Sequence, residues 1–176
     1  AGVLVLEDWE MAEARGADIL AEVLGGASTA DAHHITAPSP GGMGAVTCMR
    51  LALEEAGVEP HQISHVNAHG TSTPLNDMAE AVAMTEVFGA GGPLVTSTKG
   101  ITGHALGAAG AIEAVAVVLS MDKGLIPPTA GYTTPDPDMP ALDLVTGAPA
   151  PWEPGISMSN SFGFGGHNGS VVLAPA

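Results

Sequence analysis

Residues 97–124 read STKGITGHALGAAGAIEAVAVVLSMDKG, from Ser97 to Gly124. The part from Ala105 onward predicts one long helix that stops at Gly124. It is apolar on every side, with Glu113 as its one interior charge. A helix without a polar face belongs in the middle of a structure. Gly107, Ala108, Ala109, Gly110 and Ala111 would let other backbones come very close. A buried carboxylate needs a compensating partner, because stranding it costs on the order of several kcal/mol. Lys99 is the candidate: it lies just before the helix and is one of only four Lys and Arg residues in the chain. His104 is a poorer partner, since nine residues at ~100° each would place it roughly opposite Glu113.

Working outward, strands alternate with helices. VLVLE (Val3 to Glu7) is apolar and β-branched and predicts a buried strand. Trp9 to Gly16 predicts a helix, and Ile19 to Ser28 a strand running into a turn. Asp31 to Gly42 is a proline- and glycine-rich loop. Met43 to Val58 has helical spacing at Val46, Met49, Leu51 and Leu53, with Gly57 as a stop. ISHVNAHG (Ile63 to Gly70) alternates and ends in a polar turn. Asn76 to Gly89 predicts a second helix, capped by Asn76 or Asp77. PLVTSTKG reads as another strand. After the long helix come a proline-rich loop, the strand ISMSNS, a glycine turn, and GSVVLAPA. This order indicates an α/β fold with a largely buried sheet.

Composition narrows the function. With 176 residues and 45% hydrophobic content, the chain can bury a sizeable core. The net charge of −15 should repel nucleic acid and anionic membrane. No run of eighteen strongly apolar residues predicts a membrane span. No basic segment precedes the first apolar run, which argues against a signal peptide. The single cysteine, Cys48, allows neither an internal disulfide nor a four-cysteine zinc site. One free thiol fits a reducing, cytoplasmic location.

Three segments place glycine and polar residues at strand ends: NAHGTSTP (Asn67 to Pro74), STKGITGHALGAAGAIE (Ser97 to Glu113) and NSFGFGGHNG (Asn160 to Gly169). Loops at strand ends are where α/β proteins place ligands. Nucleotide binding is disfavoured, because GFGGHNG leads into another strand and offers no phosphate-binding helix terminus. Metal binding is disfavoured too. His61, His65 and His69 lie four apart, but on a strand that spreads neighbours by about 13 Å at ~3.3 Å per residue. Acyl transfer fits better. His69 and His104 each follow a strand among small residues. Two neutral imidazoles with a lysine could hold a thioester carbonyl and stabilise a developing enolate.

At these residues the chain resembles the β-ketoacyl-acyl-carrier-protein synthases, closest to the elongating type II enzymes. VNAHGTSTPLND, STKGITGHALGAAGAIE and NSFGFGGHNG carry the resemblance, with ADAHHITAP and LIPPT as further matches. It implies a thiolase-like layered αβαβα fold, of which this chain would hold the C-terminal half. Residues 1–18 would be the last strand and connector of the N-terminal half, and 19–176 the C-terminal ketosynthase domain. VLVLE would then lack its sheet neighbours.

The resemblance also implies roles. His69 and His104 would be the catalytic histidines, promoting malonyl decarboxylation. Lys99 would orient them, and Glu113 would pair with Lys99. Thr71 and Thr73 would hydrogen-bond the phosphopantetheine arm. Phe164 would be the gating aromatic, its backbone N–H helping form the oxyanion hole. Thr36 and Pro38 would line the substrate channel. No metal and no resident cofactor is expected, since phosphopantetheine arrives on the acyl carrier protein. That carrier would be the partner, and the intact enzyme a homodimer. The family nucleophile is a cysteine in the N-terminal half; Cys48, inside an apolar helix, matches a packing thiol instead. The chain alone is therefore expected to be inactive. His167 stands where a threonine often follows GFGG. The rival reading is a non-catalytic, chain-length-determining subunit, which resembles the family but lacks the cysteine.

Overall fold

A computed structural model describes residues 1–176. Residues 1–8 form no regular element, and Asp8 then opens helix α1 (Trp9–Ala14) by accepting a hydrogen bond from the Met11 N–H. Strand β1 (Ala21–Ala30) follows, then α2 (Met43–Ala56), β2 (Ile63–Asn67) and α3 (Pro74–Phe88). Next come β3 (Leu94–Thr96), a one-turn helix α4 (Lys99–Thr102) and α5 (Ala109–Lys123). Five strands complete the chain: β4 (Leu125–Ile126), β5 (Asp143–Leu144), β6 (Ala150–Pro151), β7 (Ile156–Gly163) and β8 (His167–Pro175).

Six strands form one mixed sheet in the order β1-β8-β7-β2-β3-β5. The β7–β8 hairpin and the β1–β8 pair are antiparallel, whereas β7, β2, β3 and β5 run parallel. Helices α2 and α3 cover one face. Val46, Met49 and Leu53 of α2 and Met84 and Val87 of α3 pack there on Val66, Met158 and Val172. Helix α5 covers the other face, with Val117 and Met121 against Leu173 and Trp152. The β2 side chains divide accordingly, so Val66 enters the main core and His65 and Asn67 project to the α5 side. The ends of β2 and β3 therefore open their loops beside the start of α5. No helix is long and apolar enough to cross a membrane.

Four expectations need correcting. VLVLE is not a buried strand: Val3, Val5 and Leu6 are mostly exposed, because no strand in this chain lies beside the segment to pair its backbone. The chain is held at either end of the segment: Arg15 donates to the Glu7 carboxylate, and before Val3 a Cβ on Gly2 would come within 2.7 Å of the Ala111 carbonyl carbon on α5. The long helix begins four residues late, at Ala109; Leu106 has φ 50° and starts a separate 3₁₀ turn over Leu106–Ala108. Helix α5 is also less enclosed than its sequence implies. Glu113, Val117, Ser120 and Met121 form one buried stripe, while Leu119 on the far side is half exposed. Finally, α3 starts at Pro74 after Thr73, ahead of Asn76 and Asp77, because proline is favoured in a first helical turn.

Candidate active site

The loop after β2 carries His69, 5% exposed. Its backbone is held from below by a residue that sequence reasoning passed over. Glu80 of α3 is fully buried and accepts the N–H groups of His69 and Gly70, each at 2.8 Å, on its two carboxylate oxygens. Burial, aided by nearby Asp77, pushes the Glu80 carboxyl up to about 7, against the pull of the two N–H donors and Lys99. The signal was present. Glu80 sits on the same helical stripe as Met84 and Val87, a carboxylate among core residues, as Glu113 is on α5.

The loop after β3 carries Lys99 at the start of α4. Its ammonium is buried and donates to the Glu113 carboxylate of α5. It also lies 3.3 Å from His69 Nδ1. An ammonium has hydrogens and no acceptor, so Nδ1 must accept, which assigns the ring hydrogen to Nε2. Burial, then the neighbouring Lys99 and His104, lower the His69 pKa to about 3, so the imidazole is neutral at pH 7. Burial raises the Glu113 pKa against the opposing pull of Lys99.

His104 follows α4 and is solvent-exposed. Its ring centroid is 5.3 Å from that of His69, with planes at 83°. A second residue missed in the sequence, Phe162 of β7, packs edge-on against His69 at 6.1 Å. Beside this cluster opens a cleft of about 660 Å³, lined by Thr71, Thr73, Lys99, His104, Thr129 and Tyr132 among others. Thr71 and Thr73 share a hydrogen bond between their hydroxyls at 2.9 Å. Two imidazoles side by side, one neutral and held with its Nε2–H free, form a donor pair suited to an oxygen that gains negative charge.

A family model, "Beta-ketoacyl synthase, C-terminal domain", matches residues 20–133. The 3-oxoacyl-[acyl-carrier-protein] synthase 2 of Staphylococcus aureus is 47% identical over 175 residues, which is 98% of this chain and 43% of that protein. The chain belongs to the β-ketoacyl synthase family. The Synechocystis sp. synthase 2 is 48% identical, covering 98% of this chain and 41% of its own length. Among solved structures, a β-ketoacyl synthase from Burkholderia phymatum superposes with a TM-score of 0.92 at 38% identity, over 97% of this chain and 41% of that one. A type II PKS ketosynthase, solved with its acyl-carrier protein, matches equally well: TM-score 0.92, 38% identity, 97% of this chain and 42% of that one. The fold is thus the thiolase-like ketosynthase C-terminal domain, and the chain spans about two fifths of the length of these relatives.

Of the nine site residues expected of a β-ketoacyl synthase, the structure gathers His69, His104, Lys99 and Glu113, with Thr71 and Thr73 on the adjoining cleft. It does not bring in the other three. Phe164 stands at the tip of the β7–β8 turn, 77% exposed, and does not line the cleft. Thr36 is exposed, its N–H donating to His34 Nδ1 at 3.1 Å, and Pro38 is half-buried in the same loop. That loop and the Phe164 turn are joined. Gly165 N–H donates to Ile35 O at 2.7 Å, and Asp31 N–H to Gly166 O at 2.8 Å. Cys48 is wholly buried, its thiol facing Ala27 O, as a packing residue would be.

Proposed function

We propose that this chain supplies the decarboxylation machinery of a 3-oxoacyl-[acyl-carrier-protein] synthase, an acyltransferase that extends an acyl thioester with malonyl carrier in fatty-acid or polyketide elongation. The observation that carries the reading is the line Glu113–Lys99–His69, with the His104 ring beside it. The carrier's pantetheine arm would enter along the cleft and hydrogen-bond Thr71 and Thr73. His69 Nε2–H and the His104 imidazole would donate to the malonyl thioester oxygen. The bond to the carboxylate then breaks, CO₂ leaves, and its electron pair forms an enolate whose oxygen those donors stabilise. The enolate carbon attacks the acyl thioester carbonyl on a cysteine of the N-terminal half. The new carbon–carbon bond forms as that thiolate leaves. Lys99 keeps Nδ1 of His69 an acceptor, and Glu113 holds Lys99 as an ammonium without a net buried charge.

The partner in this reading is an acyl carrier protein, and the intact enzyme is a homodimer. Residues 1–18 belong to its N-terminal half, and Phe164, Thr36 and Pro38 serve acyl entry rather than decarboxylation. Both imidazoles and the Lys99–Glu113 pair argue against a non-catalytic, chain-length-determining role. The test uses the full-length enzyme and follows CO₂ release from malonyl carrier. His69→Ala and His104→Ala should each lower the rate by about 10²- to 10⁴-fold, the span of a lost acid–base group. Unaltered turnover in either variant would remove that residue from the mechanism.

A further inference from the structure

His69 and Lys99 arrive on different loops, after β2 and after β3, and the mechanism above needs them in one fixed relation. Apart from their own contact, one side-chain hydrogen bond joins those loops. It belongs to Ser97. Its hydroxyl donates to Gly70 O at 3.0 Å, one residue past His69. The same oxygen accepts the Lys99 backbone N–H at 3.4 Å. Ser97 N–H in turn donates to Thr129 Oγ1 at 3.1 Å, fixing the serine to the loop after β4. The approach is close: Gly70 has φ +42°, and a Cβ there would lie 2.6 Å from the Ser97 Cβ. Ser97 is 8% exposed, so little solvent reaches it to replace the bond. The His69–Gly70 backbone is thus gripped from two sides, by Glu80 on its N–H groups and by Ser97 on its carbonyl.

We infer that Ser97 is a positioning residue for the reaction, tying the His69 turn to the Lys99 turn so that Nδ1 meets the ammonium. This rests on the functional reading above. Ser97 lies in the cleft wall, but its hydroxyl is committed to Gly70 O and the Lys99 N–H, so it acts through His69. Small displacements of a catalytic donor cost rate rather than binding. Removing the hydroxyl should therefore lower kcat and spare KM.

The experiment compares Ser97→Ala, Ser97→Thr and His69→Ala in the full-length enzyme. Malonyl carrier decarboxylation is followed beside the ring ¹⁵N resonances of His69. Ser97→Ala should reduce kcat about tenfold, the worth of a strong buried hydrogen bond, with KM unchanged. Its His69 resonances should shift from a fixed Nε2–H tautomer toward an average of two. Ser97→Thr, which keeps the hydroxyl, should restore both readouts. If Ser97→Ala does not fold, Ser97→Cys, similar in size but a weak donor, carries the same two readouts. Wild-type kcat and unmoved His69 resonances in the folded variant, with His69→Ala inactive, overturn the assignment and leave the functional reading standing. Full turnover by His69→Ala overturns the functional reading and this inference with it.

Discussion

Lys99 and Arg50 each pair with a glutamate on a different element, and there the likeness ends. The Lys99–Glu113 side chains are 5% and 1% exposed; those of Arg50 and Glu86, joining α2 to α3, are 55% and 59% exposed. The surface pair sits in water, where the Coulomb attraction is weak and salt screens it. The interior pair has given up its hydration, so each charge depends on the other. Only the interior pair touches a third titratable group, His69. All four cations of the chain are paired, with Arg15 on Glu7 and Lys123 on Asp122 completing the set. Burial, then, and not the presence of an ion pair, separates a group that can tune chemistry from one that decorates a surface.

The largest effect should come from splitting the interior pair. Glu113→Ala leaves an ammonium without its counter-ion in a buried site, and the expected loss is about 3–5 kcal/mol by urea denaturation. A sharper form replaces both partners, Lys99→Met with Glu113→Leu. Hydrophobic side chains of similar volume should recover much of that stability, since the paired charges gain little net energy over a packed core. Activity should not return, because His69 would no longer have a donor at Nδ1. If Glu113→Ala unfolds at the same urea concentration as the parent, the distinction between the two pairs is void.

The interior pair was legible in the sequence because two rare features coincided. Glu113 was a lone charge in an apolar helix, and Lys99 was a scarce cation nearby. The alternation of strands and helices, and the glycine stops at Gly57 and Gly124, came through for a different reason: each is a local backbone effect. Glu80 stood out less, as one of three carboxylates on α3 with Asp77 and Glu86. It went unread because its partners are backbone N–H groups of the His69 turn, which carry no side-chain signature. VLVLE misled in the opposite direction. Its residues have strand propensity, but a strand needs a neighbour to take its hydrogen bonds, and that depends on what lies beside it in space. The Leu106 break was hidden because nothing in the apolar run marks where helical φ values begin.

Histidine offers a middle-sized version of the comparison. His65 shares β2 with the approach to His69, yet neither of its nitrogens has a hydrogen-bond partner, and it packs on Trp152 with ring centroids 5.7 Å apart. Its sheet neighbours, Leu94 and Ser157, carry no charge. Burial alone lowers its pKa from 6.5 to about 4. The unfolded chain therefore binds a proton that the folded chain refuses between those values. The His65 contribution to stability is fully present above pH 6.5 and falls as the pH drops toward 4. At ~1.4 kcal/mol per unit, His65 accounts for up to about 3 kcal/mol of that acid sensitivity. His65→Leu should flatten the stability profile over this window by a comparable amount, read as urea midpoints at successive pH values. His69, lowered to about 3, acts with the same sign, whereas Glu80, raised from 4.5 to about 7, acts with the opposite sign; both remain in the variant, so the difference between the two profiles isolates His65.

The smallest effect belongs to the surface pair. Arg50 Nη2 donates to Glu86 Oε1 at 2.9 Å, a good hydrogen-bond distance, and a count of ion pairs would weigh it equally with Lys99. Holding two long side chains in one geometry costs rotamer entropy, and water offers both charges nearly as good an environment when they part. Arg50→Ala should therefore change stability by no more than about 0.5 kcal/mol, and Glu86→Ala should match it. Added salt should shrink even that difference, since screening acts on exposed charges first. The net charge of −15 gives this null result some force. Losing a cation from so acidic a chain adds long-range repulsion, so a loss beyond about 1 kcal/mol would mean that the global field, and not the pair, governs the surface. A double-mutant cycle at two salt concentrations separates those terms. A coupling energy that stays large at high salt would put Arg50–Glu86 in the same class as the interior pair and erase the contrast drawn between them.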